Sequence, residues 1–536
     1  MKHDTFSSFL EAHTRSIEPL SRDLHLAYWD ATNSGRREDF ERFERLDIEY
    51  QTVYNDADAF ALIQGWREDG SVADPVERRV LDVLYRSYLR NQIDPVLIDR
   101  MTRLSSKLIN AFNVYRANVD GQDMTSNEVR AVLREETDSD RRRRVWEADK
   151  GVGAVVRDDL LELVRARNQA AHGLGFENYY VMSLELSEQN PGELESLFDR
   201  LEELTRKPFR RLKAEVDSAL ASRYGIAVDE LRPWHYEDPY FQEAPRVGEL
   251  DLDACYSGKD VVALVGRFFE GIGLEVSDII ERSSLYEQPG KEQHAYCMDI
   301  DRRGDIRVLA NVRDDEMWTG TMLHELGHGV YDRYIDSNLP FFLREHAHIF
   351  ATEAIAMLFG RLSKDAGWMQ AMLGLDDGAR DQIEATANAQ QRLAQLVFAR
   401  WCQVMVRFER ALYTDPDGDL DATWWDLVER MQMISRPDGR RAPDWASKIH
   451  MVSAPVYYHN YMLGELLASQ LDRYIHTKVL RNESRSALVG ETRVGKYLKE
   501  RVFDPGKRMP PDEMIRAATG ESLTPDYFVE QFVRSS

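Results

Sequence analysis

Residues Thr321–Asp332 read TMLHELGHGVYD: two histidines four positions apart, with a glutamate directly after the first, in an otherwise apolar stretch. Positions four apart share one face of a helix, so His324 and His328 can aim two imidazoles at a single ion. Glu325 points beside that pair, where it can take a proton from a water that the ion activates. Gly327 and Gly329 keep bulk low next to the histidines while weakening the helix. The plainer reading is two surface histidines on a glycine-bearing helix, because a five-residue pattern recurs by chance.

A third ligand separates the two readings. A third histidine six residues on is excluded by Tyr334, and a glutamate about twenty residues on is excluded by Ala347 and His348. The next carboxylates are Glu345 and Glu353, in REHAHIFATEAIAMLFGRL. Phe350 to Leu362 reads as an apolar helix with few charges, so a carboxylate at Glu353 is costly unless it is paired or holds a metal. Glu345 stands among charges near a helix start, where solvent and the helix dipole account for it. The burial cost therefore selects Glu353. One Zn2+ per chain, held by His324, His328 and Glu353, leaves a fourth position open, which is the catalytic arrangement.

Outward from the motif, apolar residues recur at three- and four-residue steps over most of the chain. FERFERLDIEYQTVYNDADAFALI and DLLELVRARNQAAHGLG read as helices, and Pro191 to Gly225 reads as a long helix pair opening at Pro191-Gly192. Arg232 to Pro245, rich in proline and aromatics, reads as an ordered loop. QHAYCMDIDRRGDIRVLANV, Gln293 to Val312, fits two short strands around Arg302-Arg303-Gly304 and is the clearest β signal. Helices resume at about Asp314, broken at Ser337 to Pro340 and at Ser435 to Asp444. The expected fold is mostly α: an elongated two-lobed helical body around a deep central cleft, with a small β-sheet next to the HExxH helix. Residues 1–536 read as one unit, a largely helical region to about 240 followed by a catalytic region over 241–536.

The bulk numbers agree with a soluble globular protein: 536 residues, 43% hydrophobic and 30% charged. A net charge of -24 argues against nucleic acid or an anionic membrane as the main partner. Cys255, Cys297 and Cys402 are odd in number and widely spaced, which implies no disulfide framework. The N-terminal MKHDTFSSFLEAH lacks a signal pattern, and no apolar run approaches the roughly 20 residues of a membrane span. A reduced, cytoplasmic compartment is the expectation.

HELGH with a glutamate twenty-five residues after its second histidine resembles the gluzincin zinc peptidases of the angiotensin-converting enzyme and thimet oligopeptidase/oligoendopeptidase F families. HAYCMD, His294 to Asp299, is similar to the strand just upstream of the zinc helix in the former. KIHMVSAPVYYHNYMLGELLASQL, Lys448 to Leu471, is similar to the Lys-x-His and Tyr-x-x-Tyr segment downstream. LAYWDATNSG and RNQAAHGLGFENYY resemble the helical lobes of the same group. The resemblance implies that Tyr461 donates to the oxyanion, that His450 binds substrate nearby, and that His294 and Ala295 contact the peptide. It also implies that Lys448, with Tyr458, grips a C-terminal carboxylate. An extra residue after His450 keeps Tyr457 a rival to Tyr458. Asn460 stands where chloride-activated relatives hold an arginine, and Met357 where they hold an aspartate behind the site, which leaves Asp332 as one group that could orient the zinc histidines.

Two functions follow. The first is a zinc metallopeptidase acting on short peptides, as an oligopeptidase or a dipeptidyl carboxypeptidase, with Glu325 as general base. The second is a non-catalytic zinc-containing peptide-binding protein, against which the intact Glu325 argues.

Overall fold

The computed structural model describes residues 4–245, 251–482 and 488–534. Among the described residues helices dominate, joined by two two-stranded antiparallel sheets, and no helix is long and apolar enough to cross a membrane. Of the N-terminal Met1 to His13, the first three residues lie outside the described ones.

The chain divides into two compact units, each drawn from three segments. The first comprises Met1–Gln92, Leu250–Ala387 and Leu463–Tyr527. It opens with the helix Phe6–Ser34, capped by the Thr5 side chain and ended by Gly35 in the left-handed region. The single helix read from Phe40 to Ile63 is two, Arg37–Tyr54 and Ala57–Asp69. The Asp56 carboxylate accepts the amides of Asp58 and Ala59 at 2.9 and 3.0 Å, which starts a new helix where the apolar period alone would continue the old one. With Pro75–Arg90 these helices bury Ile17, Ile63, Val80 and Leu84 together with Phe341 and Leu343. Each such side chain contributes about 1.5–3 kcal/mol.

In the same unit, strands β3 (Tyr296–Asp299) and β4 (Ile306–Leu309) form the expected hairpin, pairing Tyr296 with Leu309 and Asp299 with Ile306. Arg302 and Gly304 adopt the positive φ values that its turn requires. His294 and Ala295 precede the strand rather than lying in it. The motif helix Glu316–Arg333 begins at the Asp315 cap, and the glutamate helix Ile349–Gly360 packs against it. Met322, Leu323, Leu326 and Val330 bury one face of the former, and Ala351, Ile355 and Phe359 a face of the latter.

The second unit comprises Ile93–Glu249, Asn388–Met462 and Phe528–Ser536. Its helices include Pro95–Val114, Ser139–Gly173 and Leu420–Gln432. Pro191–Tyr224 is one continuous helix where the sequence reading expected a pair. Pro208 removes one hydrogen bond inside it, and burial of Leu201, Phe209, Val216 and Leu220 along one face offsets that loss. β1 (Ala117–Val119) and β2 (Gln122–Met124) form a second hairpin, turned at Asp120-Gly121. The core here is aromatic: Trp146, Trp401 and Trp445 are fully buried. Arg232–Pro245 is ordered, with Trp234, Tyr236 and Phe241 turned inward.

Candidate active site

The motif helix turns His324 and His328 to one side, with ring centroids 4.9 Å apart and planes nearly perpendicular. Glu353 comes to them from the glutamate helix, and His324 Nε2 lies 3.9 Å from its Oε2. One ligand atom from each of the three residues falls within 4.8 Å of the others. Zinc ligands at about 2.1 Å in a tetrahedron sit about 3.4 Å apart, so small side-chain rotations close the set on one ion.

The two helices can approach this closely because of Gly327. A Cβ there would stand 2.9 Å from the Ala356 Cα, so no larger residue fits without parting the backbones. Gly464, on the helix Tyr458–Tyr474, meets Glu353 from the other side: a Cβ would lie 3.2 Å from the Glu353 Cβ and from the Met357 Sδ. The Glu353 carboxylate is thus wedged between two glycine contacts.

His328 Nδ1 lies 2.7 Å from the Thr352 hydroxyl, which orients the ring and leaves Nε2 for the ion. Asp332, the sequence candidate for orienting the histidines, lies instead 3.7 Å from His346 Nδ1. Glu345 is engaged elsewhere, in ion pairs with Arg302 and with Lys507 at 2.7 Å, which hold its carboxyl well below the usual range despite burial. Arg361 and Glu465 form a buried ion pair beside the centre, and the Glu465 charge reaches both His324 and Glu353.

Burial lowers His324 to about 4 against the pull of Glu465, and pushes His328 well down with help from His324 and His346. Both rings are therefore neutral at pH 7, the form in which imidazole binds metal. Burial raises Glu353 to about 7, His346 opposing and Glu465 adding to the rise. Glu325, buried, is raised to about 8 by desolvation and then by Glu353, and the Cys297 backbone N–H opposes the shift. That amide belongs to β3, in the hairpin beside the motif helix. Two neutral imidazoles and crowded carboxyls are a donor set that a divalent cation fits, because its charge offsets the repulsion between Glu325 and Glu353.

His450, Lys448, Tyr458 and Tyr461 lie together in the second unit. Lys448 follows the short turn Asp444–Ser447, and His450 opens the one-turn helix His450–Ser453. Lys448 is 7% exposed: its ammonium donates to the Gln242 side-chain oxygen at 2.6 Å and faces the rings of Tyr240, Trp401 and Tyr458. Burial lowers it to about 8, against the pull of Asp238. Burial and the Lys448 charge bring His450 to about 4, and its ring packs on Tyr458 at 5.1 Å. The Tyr458 hydroxyl accepts from the Trp401 indole at 2.9 Å and is buried, whereas Tyr457 and Tyr461 are half-buried and pack edge to face at 5.1 Å. Asn460 accepts from Gln189 at 2.9 Å. Sequence reasoning passed over Thr352, which stands next to Glu353 in ATEA, and Gln242 and Tyr240, which stand in the aromatic loop.

A helical chain that brings HExxH together with a glutamate from a neighbouring helix has the layout of metal-dependent peptidases. The model of peptidase family M3 matches residues 132–534, and the chain belongs to that family. A thermostable carboxypeptidase 1 of Pyrococcus furiosus is 30% identical over 112 residues, which take in 21% of this chain and 22% of that protein's length.

Proposed function

We propose that the protein is a zinc-dependent metallopeptidase that hydrolyses short peptides. The observation that carries this reading is the convergence of His324, His328 and Glu353 within 4.8 Å, with Glu325 buried on the same turn of helix. His324, His328 and Glu353 would hold the zinc. When bound, zinc polarises the scissile carbonyl and makes water acidic enough to react near neutral pH.

Glu325 accepts the proton of the attacking water and passes it to the departing amine nitrogen. Thr352 keeps the His328 ring in one orientation. By the family resemblance, Tyr461 donates to the oxyanion and His450 assists it, while His294 and Ala295 contact the peptide backbone.

Lys448 with Tyr458 supplies the specificity: a buried ammonium among aromatic rings favours a peptide's free C-terminal carboxylate. The relative's name, a carboxypeptidase, supports cutting near the C-terminus over internal cutting. Glu325→Gln should abolish hydrolysis of a peptide library while the protein keeps one equivalent of zinc by elemental analysis. Turnover persisting in that variant would remove Glu325 from the base role. Amidating the C-terminus of a cleaved peptide should stop its cleavage, and indifference to amidation would point to an endopeptidase.

A further inference from the structure

Ala454 to Tyr457 link the one-turn helix His450–Ser453 to the helix that starts at Tyr458. The course of this link sets where His450 stands on one side of it and Tyr461, one turn into the helix, on the other. Pro455 holds its own φ, and Val456 after it takes a φ of 53°. Turns fill that conformation with glycine or asparagine, and a β-branched residue is strained in it. Strain of this kind persists only where the surroundings over-determine the backbone.

Two buried charged side chains do so here. Glu409, 3% exposed on the helix Asp377–Thr414, accepts the Val456 N–H at 2.6 Å. Arg167, buried on Ser139–Gly173, donates to the Met451 and Val452 carbonyls, each at 2.8 Å, and to the Tyr413 hydroxyl at 3.0 Å. Among the described residues neither is held in an ion pair. Burying a charge is unfavourable unless it is paired or hydrogen-bonded, and these two direct their hydrogen bonds to the backbone of one short segment. Met451, Val452 and Val456 are buried as well, but apolar burial is non-directional and does not choose one backbone course.

We propose that Glu409 is a positioning residue: through the Val456 amide it holds the link in the course that presents His450 and Tyr461 for the reaction. Arg167 fixes the end of the link next to His450. This inference rests on the roles proposed above for His450 and Tyr461. Glu409 acts through the backbone, so its loss misplaces groups that serve the transition state and falls on kcat rather than on KM.

The test is the kinetics of the zinc-loaded full chain on a cleaved member of the peptide library. Glu409→Leu removes the acceptor, and Glu409→Gln keeps it as an amide oxygen. We expect kcat to fall at least tenfold in Glu409→Leu, with KM within about twofold of the parent and zinc affinity unchanged by chelator competition. Glu409→Gln should return most of the lost kcat. A contact that only stabilises the fold would lower the melting temperature and leave kcat per folded molecule at the parental value. That result, or a Glu409→Gln as impaired as Glu409→Leu, overturns the proposal. Tyr461→Phe runs beside them. Loss of kcat there, with parental kcat in Glu409→Leu, overturns this inference alone. Parental kcat in Tyr461→Phe, or no cleavage by the parent, overturns the reading beneath it and this inference with it. If Glu409→Leu fails to fold, hydrogen exchange of the unaltered protein decides: the Val456 amide should exchange as slowly as those inside the helix Ser139–Gly173, and exchange at the rate of an exposed loop overturns the proposal.

Discussion

Replacing Gly327 with alanine, beside the same change at Gly329, separates packing from helix propensity on one helix. Both substitutions gain about 1 kcal/mol of propensity. At Gly329 the new methyl meets Ile279 Cδ1 at 3.4 Å, Cys297 Sγ at 3.5 Å and Ile306 Cγ2 at 3.6 Å, which is ordinary contact. At Gly327 it meets the Ala356 Cα at 2.9 Å and backbone atoms of Ala356 and Ile355 at 3.3 Å. Backbone cannot turn aside as a rotamer does, so the motif and glutamate helices must part by about half an ångström to restore carbon–carbon contact. Overpacking of this kind costs about 1–3 kcal/mol. Gly329→Ala should therefore gain about 1 kcal/mol, and Gly327→Ala should lose up to about 2 kcal/mol net.

The parting also carries Glu353 away from His324, since Glu353 lies one turn before Ala356. Thermal melts of both variants, with zinc competition against a chelator, read the two effects separately. Gly329→Ala should melt above the parent at parental zinc affinity, and Gly327→Ala below it with weakened zinc binding. A Gly327→Ala protein that melts as high as Gly329→Ala and holds zinc equally well would refute the close-packing argument.

Thr352→Val removes the oxygen 2.7 Å from His328 Nδ1 at nearly constant volume, and should weaken zinc binding about 10–100-fold in the same competition assay. Lys448 is lowered to about 8 by burial, so the ammonium that we propose holds the peptide carboxylate is lost as pH rises past 8. KM for peptides with a free C-terminus should rise about tenfold per pH unit above that value, and Lys448→Met should remove the dependence. Glu409, buried and accepting the Val456 N–H at 2.6 Å, is raised from the ordinary 4.5 to about 7 by desolvation. The folded state holds this proton more tightly than the unfolded state. Its contribution to stability is therefore whole below pH 4.5 and is lost between 4.5 and about 7, by about 3 kcal/mol. Glu409→Gln should flatten that part of the stability–pH curve measured by denaturant titration.

By itself the sequence determined what short-range periodicity can determine. Apolar residues at helical steps marked the helical class. The spacing of His324 and His328 marked two rings on one face, because a helix fixes that geometry within a turn. The burial cost of a lone carboxylate singled out Glu353 over Glu345, and Glu345 proves to be engaged with Arg302 and Lys507. The β3–β4 hairpin was legible from its alternation and its glycine turn. The β1–β2 hairpin had a signal in Asp120-Gly121 that three-residue strands left too short to notice. The Asp56 cap, likewise, hid inside an unbroken apolar period.

Tertiary structure decided what depends on meetings between distant segments. Pro208 ends a helix in isolation, and only burial along the whole Pro191–Tyr224 face carries the chain through it. Thr352 as the partner of His328 and the Gln242 contact to Lys448 join residues with no periodic relation in sequence. A hydrogen bond of that kind is set by where two backbones pass each other, and around His324, His328 and Glu353 that distance is fixed by the absence of a side chain at Gly327 and Gly464.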